Sequence, residues 1–535
     1  MKRLGWMLII VLATISCTKR VRENIAFYGK LGAEPGTLNP LTYTDGYAAE
    51  VHDYVVESML TRNIETYEFE PALAHKWEVS KDKTKFKFWI KKGLLWHDGQ
   101  EITAHDVEYT FKAFFDDKKW KNAHKKFSYT NIDSVNAIDK YIVEVKVKNK
   151  IYSNFNTIAE MAILPKHFYT RPEKRSYFNK NLVASGPYKL EKWHRGNRIV
   201  LVRNDNWWGF QEDLQKNKYN FPKVVLKWTE DATVSIEMLK KGSYDFITMQ
   251  PEDYVKKATG AIWGKKVHKV QTKNNSPKGY CYIGMNLKDP ILKNKNIRKA
   301  FFHLLNRDLM INKFEYDMST PAVGPIYPKS PYATKGLKPV EYNPKKALAM
   351  LKKEGWRDSN NDGILDKNGK NLSLTILEPG SYSRYLTVFK EDAKKVGVEI
   401  LIKKIEWNSF LKLVTQEKKF EMCRLCWSAT VDWDPLQIWH SKSIKEGSNF
   451  ISYSNKKVDR LIDEARYVFD RAERIKILSQ VEKQIIEDVP YLFITYKDTS
   501  LYGYTDRILR QKDTYNYGIG TSFWKFKSTK TISAE

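Results

Sequence analysis

The sequence predicts an α/β protein of more than one lobe, and three observations carry that expectation. Its 535 residues exceed the roughly 250–300 at which a single hydrophobic core stops growing. The first half is rich in short strands punctuated by Gly and Pro, whereas from Pro290 onward strands alternate with amphipathic helices, the pattern of an α/β lobe. A hydrophobic content of 42% is adequate for packed cores, and sixteen tryptophans need burial somewhere.

In chain order, Lys2 and Arg3 precede an uncharged run from Leu4 to Ile15. That run is shorter than the ~20 residues of a membrane-spanning helix and suits the apolar region of a secretory signal. Ser16 and Cys17 close it, so residues 1–17 read as an export signal ending in a cysteine. Thr14-Ile15-Ser16-Cys17 resembles the lipobox of bacterial lipoproteins, although leucine is absent three places before the cysteine; an ordinary secretory signal is the alternative. Either reading places the chain outside the cytoplasm.

From Glu23 to about Pro71, apolar runs alternate with turns such as Gly32-Ala33-Glu34-Pro35-Gly36, a strand running into a loop. Trp77-Glu78-Val79-Ser80 and Lys85-Phe86-Lys87-Phe88-Trp89-Ile90 read as an antiparallel pair, and a helix follows with Thr103 as its N-cap. Strand-rich stretches cover Gly186 to Trp228 and Val267 to Met285. Helices are expected at Ile297–Leu305, Lys345–Glu354, Tyr385–Val396, Asn408–Gln416, Lys457–Tyr467 and Arg471–Asp488, with strands Leu372–Leu377 and Val398–Ile402 between them.

The formal charge is +28. Lysines are scattered along the chain without a nucleic-acid motif, so the charge reads as a solvated basic surface suited to anionic lipid headgroups, with no nucleic acid partner. Besides Cys17 there are Cys281, Cys423 and Cys426, which in an oxidising compartment give one disulfide and one thiol. Cys423-Arg424-Leu425-Cys426 has redox spacing but lies in an apolar strand rather than at a helix N-terminus, so a Cys281–Cys426 bridge is favoured over thiol–disulfide chemistry.

Catalytic signatures are missing: no His-Glu-x-x-His, no Gly-x-Ser-x-Gly and no Walker loop, and the ten histidines are dispersed. Asp432 and Asp434 form a carboxylate pair with no nucleophile or metal motif beside them. One stretch, Asp358-Ser359-Asn360-Asn361-Asp362-Gly363-Ile364-Leu365-Asp366, carries oxygen donors at Asp358, Asn360, Asp362 and Asp366, like the front of a calcium loop. Gly369 stands where its bidentate glutamate belongs, so a hydrogen-bonded turn is preferred. Neither a metal nor a cofactor is expected.

Several segments in order resemble the bacterial extracellular solute-binding proteins of the oligopeptide, dipeptide and nickel-binding class. They are Glu34-Pro35-Gly36-Thr37-Leu38-Asn39-Pro40, Pro71-Ala72-Leu73-Ala74 through Trp96-His97-Asp98-Gly99 and Thr103-Ala104-His105-Asp106-Val107, and Ser185-Gly186-Pro187-Tyr188. Ile297-Arg298-Lys299-Ala300-Phe301, Glu354-Gly355-Trp356, Asp434-Pro435 and Tyr453-Ser454-Asn455 through Ile462 complete the set. The resemblance implies a periplasmic-binding-protein-like, two-lobed α/β receptor of three domains, the first discontinuous. The implied division is residues 24–50, 183–283 and 496–535 as the core of lobe 1, 51–182 as its accessory domain, and 284–495 as lobe 2. It further implies a non-enzymatic monomer, anchored by lipid at Cys17 in the periplasm or on the cell surface. That monomer would hand a peptide to the permease and ATPase subunits of an ABC importer.

A receptor for varied peptides should hold their backbone and set a carboxylate against the terminal ammonium. In the family that acid follows a tryptophan and precedes an Asp-Pro pair. Here, counting from Trp427 reaches Thr430 and counting back from Pro435 reaches Val431, so the nearest acid, Asp432, is taken as the anchor, with a role as a turn or cap residue as the alternative. Trp427, Trp433, Asp434 and Tyr43 are further candidates for the pocket, with main-chain contacts from Glu34 and Pro35. Other solutes in the same fold, an oligosaccharide or a nickel chelate, are the nearest alternative; an exported hydrolase or chaperone is the remote one. The basic balance also leads to an expected preference for acidic peptides.

Overall fold

A computed structural model describes residues 25–120, 123–380 and 384–527, the side chains of 123–125 excepted. The signal segment and Cys17 lie outside the described residues. Two large sheets organise the chain. The first has seven strands in the order Val267–Thr272, Ser500–Thr505, Phe246–Thr248, Ala26–Leu31, Lys223–Trp228, Arg198–Arg203 and Tyr188–His194. The second has six, in the order Ser319–Pro321, Tyr491–Lys497, Tyr280–Met285, Met422–Trp427, Ser373–Pro379 and Glu399–Ile405. Each carries its own hydrophobic core, one around Phe27, Leu201, Tyr502 and Trp524, the other around Tyr282, Phe301, Phe389 and Tyr491. The chain passes between them twice, along 273–279 and 498–499, which makes these two short segments the hinge.

Sheet membership shifts the division read from the sequence. Strand Tyr280–Met285 pairs on both sides within the six-stranded sheet, so lobe 2 begins before residue 280 rather than at 284, and Tyr491–Lys497 runs two residues past 495. Val267 to Met285 reads as one strand-rich stretch because local pattern does not say which sheet a strand joins.

The third unit is a four-stranded sheet in the order Ala74–Val79, Lys85–Ile90, Ile142–Val147 and Ile132–Asp139, with helix Ala104–Phe114 packed on it. Alternation in Lys85–Ile90 buries Phe86, Phe88 and Ile90 against Trp96 and Trp120. The helix starts where expected: the Thr103 N–H donates to Asp106 Oδ2 at 2.9 Å, closing a capping box.

Two acids tie these pieces together, buried Asp245 within lobe 1 and half-buried Glu57 between lobe 1 and the accessory unit. Asp245 takes Arg507 Nε at 2.7 Å, Thr505 Oγ1 at 2.8 Å and the Tyr28 N–H at 2.9 Å, tying the returning C-terminal strand to the first one. Glu57, from the accessory unit, accepts from Trp207 Nε1 at 3.0 Å and Trp208 Nε1 at 3.1 Å, while the Lys91 ammonium lies 3.7 Å from the Trp208 ring centroid. Burial pushes the Glu57 carboxyl up to about 7 against the pull of these partners and Ser185. Between its ordinary value of 4.5 and that value the folded state holds a proton the unfolded chain has lost. The resulting stabilisation is therefore complete below about 4.5 and is lost as pH rises through about 7. Glu57→Gln is expected to flatten the decline in Tm between pH 5 and 7.5, and an unchanged slope would refute the assignment.

Candidate ligand-binding cleft

A cavity of about 840 Å³ opens between the lobes. Its walls come from Arg62, Thr66, Tyr67 and Tyr517 of lobe 1, from hinge residues 273–278, and from three pieces of lobe 2. These are the loop 325–331, the loop 429–433 after strand Met422–Trp427, and Arg471 at the start of helix Arg471–Asp488. A side chamber of about 300 Å³, lined by Tyr280, the Cys281–Cys426 pair, Trp427 and Lys497, shares Pro277 and Ala429 with the larger space.

Asp432 stands on the cavity wall with 37% of its side chain exposed. The hydroxyl of Tyr332, whose ring is fully buried, donates to Asp432 Oδ1 at 2.7 Å, and Arg471 Nη2 is 4.0 Å from the same oxygen. Arg474 Nη2 in turn donates to the Tyr332 hydroxyl at 3.2 Å. The carboxylate is thus oriented from behind and keeps acceptor capacity on the cavity side. Thr430, one of the positions reached by counting, folds its hydroxyl back onto the Asp432 carbonyl at 2.6 Å.

Trp433 lines the cavity beside Asp432. Trp427 forms part of the chamber wall and packs into the core, stacked on Phe450 and Tyr282 with its indole N–H 3.3 Å from the Tyr491 hydroxyl. Asp434 does not line the cavity: it accepts the Leu436 N–H at 3.1 Å and Arg466 Nε at 3.3 Å, and Ser153 of the other lobe reaches it at 3.5 Å. Glu34, Pro35 and Tyr43 do not line it either. The end of strand Tyr188–His194 and the turn after it claim Glu34 through Trp193 Nε1 at 3.1 Å and Arg195 at 3.2 Å, and Arg195 also reaches the Pro35 carbonyl. Tyr43 packs edge-on against His52.

The calcium-like stretch is a self-satisfied turn. Asp358 accepts the Asp362 and Gly363 amides, Asn360 Oδ1 the Asp362 amide, Asp362 the Ile364 amide and Asp366 the Ser359 amide. Cys281 and Cys426, register partners on neighbouring strands, are joined by a disulfide, and Cys423 is a buried thiol.

Charged groups at and behind the chamber wall carry no local signal. Glu378, fully buried, faces Arg424 Nη1 at 3.4 Å; burial pushes its carboxyl up to about 7 while Arg424 opposes the rise. Lys497, at the end of its strand, is accessible from the chamber, and desolvation by the surrounding protein lowers its ammonium pKa. Only the fold brings these groups to one place.

The lobes are closed upon each other. Tyr152, from lobe 1, donates its backbone N–H to the Arg466 carbonyl at 2.9 Å and its hydroxyl to the Trp433 carbonyl at 3.2 Å, and its ring lies 3.9 Å beneath the Arg474 guanidinium. Tyr47 meets Trp407 edge-on, and Glu252 pairs with Arg384. Because Arg474 also orients Tyr332, the contact at Tyr152 links closure to the setting of Asp432. Tyr152→Ala is expected to open the unliganded protein, seen as a larger radius of gyration by small-angle scattering, and to cost about 1 kcal/mol of ligand affinity. Tyr152→Phe, which keeps the ring, should lose less; identical scattering from all three proteins would dismiss the latch.

Two α/β lobes joined by a double hinge and closed over a polar-lined cavity define a solute receptor. The chain belongs to the family described as bacterial extracellular solute-binding proteins, family 5 Middle, whose sequence profile matches residues 68–449. It is 30% identical over 489 residues to the oligopeptide-binding protein AppA of Bacillus subtilis, covering 88% of this chain and 86% of that protein. The structure of AppA in complex with a nonapeptide superposes with a TM-score of 0.84 at 27% identity, covering 94% of this chain and 99% of AppA. NikZ from Campylobacter jejuni, in complex with Ni(L-His), shares the fold with a TM-score of 0.80 at 22% identity, covering 94% of this chain and 100% of NikZ.

Proposed function

We propose that this chain is the extracytoplasmic substrate-binding component of an ABC importer, capturing oligopeptides or dipeptides between its lobes and delivering them to the permease. The observation that carries the reading is the cavity of about 840 Å³ with an oriented carboxylate, Asp432, on its wall. That volume suits a ligand of short-peptide size, and a carboxylate held from behind is the group that meets a peptide's ammonium. Trp433 and the aromatic side chains Tyr67, Tyr327 and Tyr517 would pack on peptide side chains or backbone. A monomer tethered at Cys17 by lipid to a bacterial membrane, in the periplasm or on the cell surface, would keep the captured ligand near the permease and its ATPase.

Tryptophan fluorescence tests the reading, since Trp433 is in the cavity wall. Titration with a random peptide pool is expected to give a saturable change, and cello-oligosaccharides and nickel–histidine to give none. A response to either of those with no response to peptides would replace the peptide reading.

A further inference from the structure

The charge on the walls of the cleft is not that of a receptor indifferent to peptide side chains. Six cations line the two adjoining spaces: Arg62, Lys273, Lys278, Lys329, Arg471 and Lys497. Only two carboxylates do, Asp432, which accepts from Tyr332, and Asp498, which accepts from the Thr320 hydroxyl at 2.5 Å, so cations outnumber acids on the lining. The acids of helix Gly46–Val55, Glu50 and Asp53, line neither space.

Pairing removes part of the positive charge but not most of it. Arg62 is held by Glu160 at 2.7 Å, Asp498 attracts Lys278, whose ammonium donates to the neutral Asn274 Oδ1 at 3.2 Å, and Arg471 sits 4.0 Å from Asp432. Among the described residues, the side-chain ammonium groups of Lys273, Lys329 and Lys497 enter no ion pair and no hydrogen bond, although Glu315 attracts Lys497 at longer range. Lys273 comes from the hinge and Lys329 from lobe 2, so closure holds both on the wall of one cavity. A like-charged cleft with low-dielectric walls focuses its field on whatever enters, whereas charges on the outer surface are screened within about 8 Å at physiological salt.

Resting on the peptide reading above, we propose that this receptor selects acidic peptides, with Lys273, Lys329 and Lys497 receiving the side-chain carboxylates of Asp or Glu residues in the bound ligand. The selection belongs to the cleft lining and not to the overall charge of the protein. It places Asp432 at the ligand's amino end and the cations along the rest of its length.

Calorimetric titration of the full protein with three peptides of one length tests this: an alanine pentapeptide, its analogue with two glutamates, and its analogue with two lysines. All three share the same termini, so their differences report side chains alone. The glutamate peptide is expected to bind at least 10-fold tighter than the alanine peptide and the lysine peptide more weakly than either, with the spread shrinking between 50 and 300 mM NaCl. Lys273→Gln and Lys329→Gln should each lower the glutamate-to-alanine ratio several-fold, while substitution of the outward-facing Lys118 to Gln should leave it. Equal affinities for the glutamate and lysine peptides, or a ratio unmoved by the two cleft variants, would overturn the acidic selectivity while leaving peptide binding in place. Binding of none of the three would overturn the peptide reading itself, and the selectivity with it.

Discussion

Asp432→Asn is expected to weaken a peptide with a free amino terminus by roughly 10- to 100-fold, about 1.5–3 kcal/mol, the range for a hydrogen bond to a charged group. The substitution keeps the shape and the bond from Tyr332 but removes the negative charge opposite the ligand's ammonium. An N-acetylated peptide has no ammonium to lose, so its affinity for the two proteins should differ little. Because 37% of the side chain is exposed, Tm should hardly move, which separates a binding effect from a folding one. Tyr332→Phe, which removes only the orienting donor, should cost several-fold. Calorimetry giving the same affinity ratio for the free and acetylated peptides would move the anchor away from Asp432.

The second large effect concerns stability. Reduction of the Cys281–Cys426 disulfide, or the double substitution Cys281→Ser and Cys426→Ser, is expected to lower unfolding free energy by about 2–4 kcal/mol. The bridge closes a segment with a sequence separation of 145, and in the chain-entropy account a loop that long puts the effect at the upper end. It also locks two neighbouring strands of the lobe 2 sheet where they form the chamber wall beside Lys497. Burial pushes the Cys423 thiol up to about 12, so the protein has little thiolate with which to reshuffle the bond. Urea unfolding with and without reductant measures the difference, and mass spectrometry should find Cys281 linked to Cys426 and Cys423 as a thiol. An unchanged midpoint on reduction would show the bridge to be energetically idle.

Much of the secondary structure was legible because its signals are local. The Thr103 cap, the period-2 run Lys85–Ile90 and the helices observed at Lys295–His303, Pro344–Lys353, Arg384–Lys394, Lys456–Tyr467 and Arg471–Asp488 fall within a few residues of their expected positions. The helix expected at Asn408–Gln416 is α-helical only over Trp407–Leu411 and widens to a π-helix over Lys412–Glu417, a change of hydrogen-bond register that side-chain periodicity does not announce. The Asp358–Asp366 turn was readable for the same local reason, since Asp, Asn and Gly satisfy nearby amides.

The site was legible only in outline. The loop holding Asp432 and Trp433 was found through family order, but Asp432's partner Tyr332 lies 100 residues away and the cross-lobe contact of Tyr152 with Trp433 spans 281. Glu34 illustrates the converse. Its segment was identified from order along the chain, yet Trp193 and Arg195, some 160 residues on, engage its carboxylate away from the cavity.

By itself, then, the sequence determined the α/β class, the positions of most helices and strands, and the family order of its segments. These depend on neighbours within a few residues, through periodicity, caps and turns. Only the tertiary structure decided where the hinge runs, which sheet takes strand Tyr280–Met285, which acids line the cavity and which cations go unpaired. The physical reason is that a side chain's charge acts through whatever stands opposite it, and here the opposing groups arrive from the other lobe or from strands hundreds of residues apart.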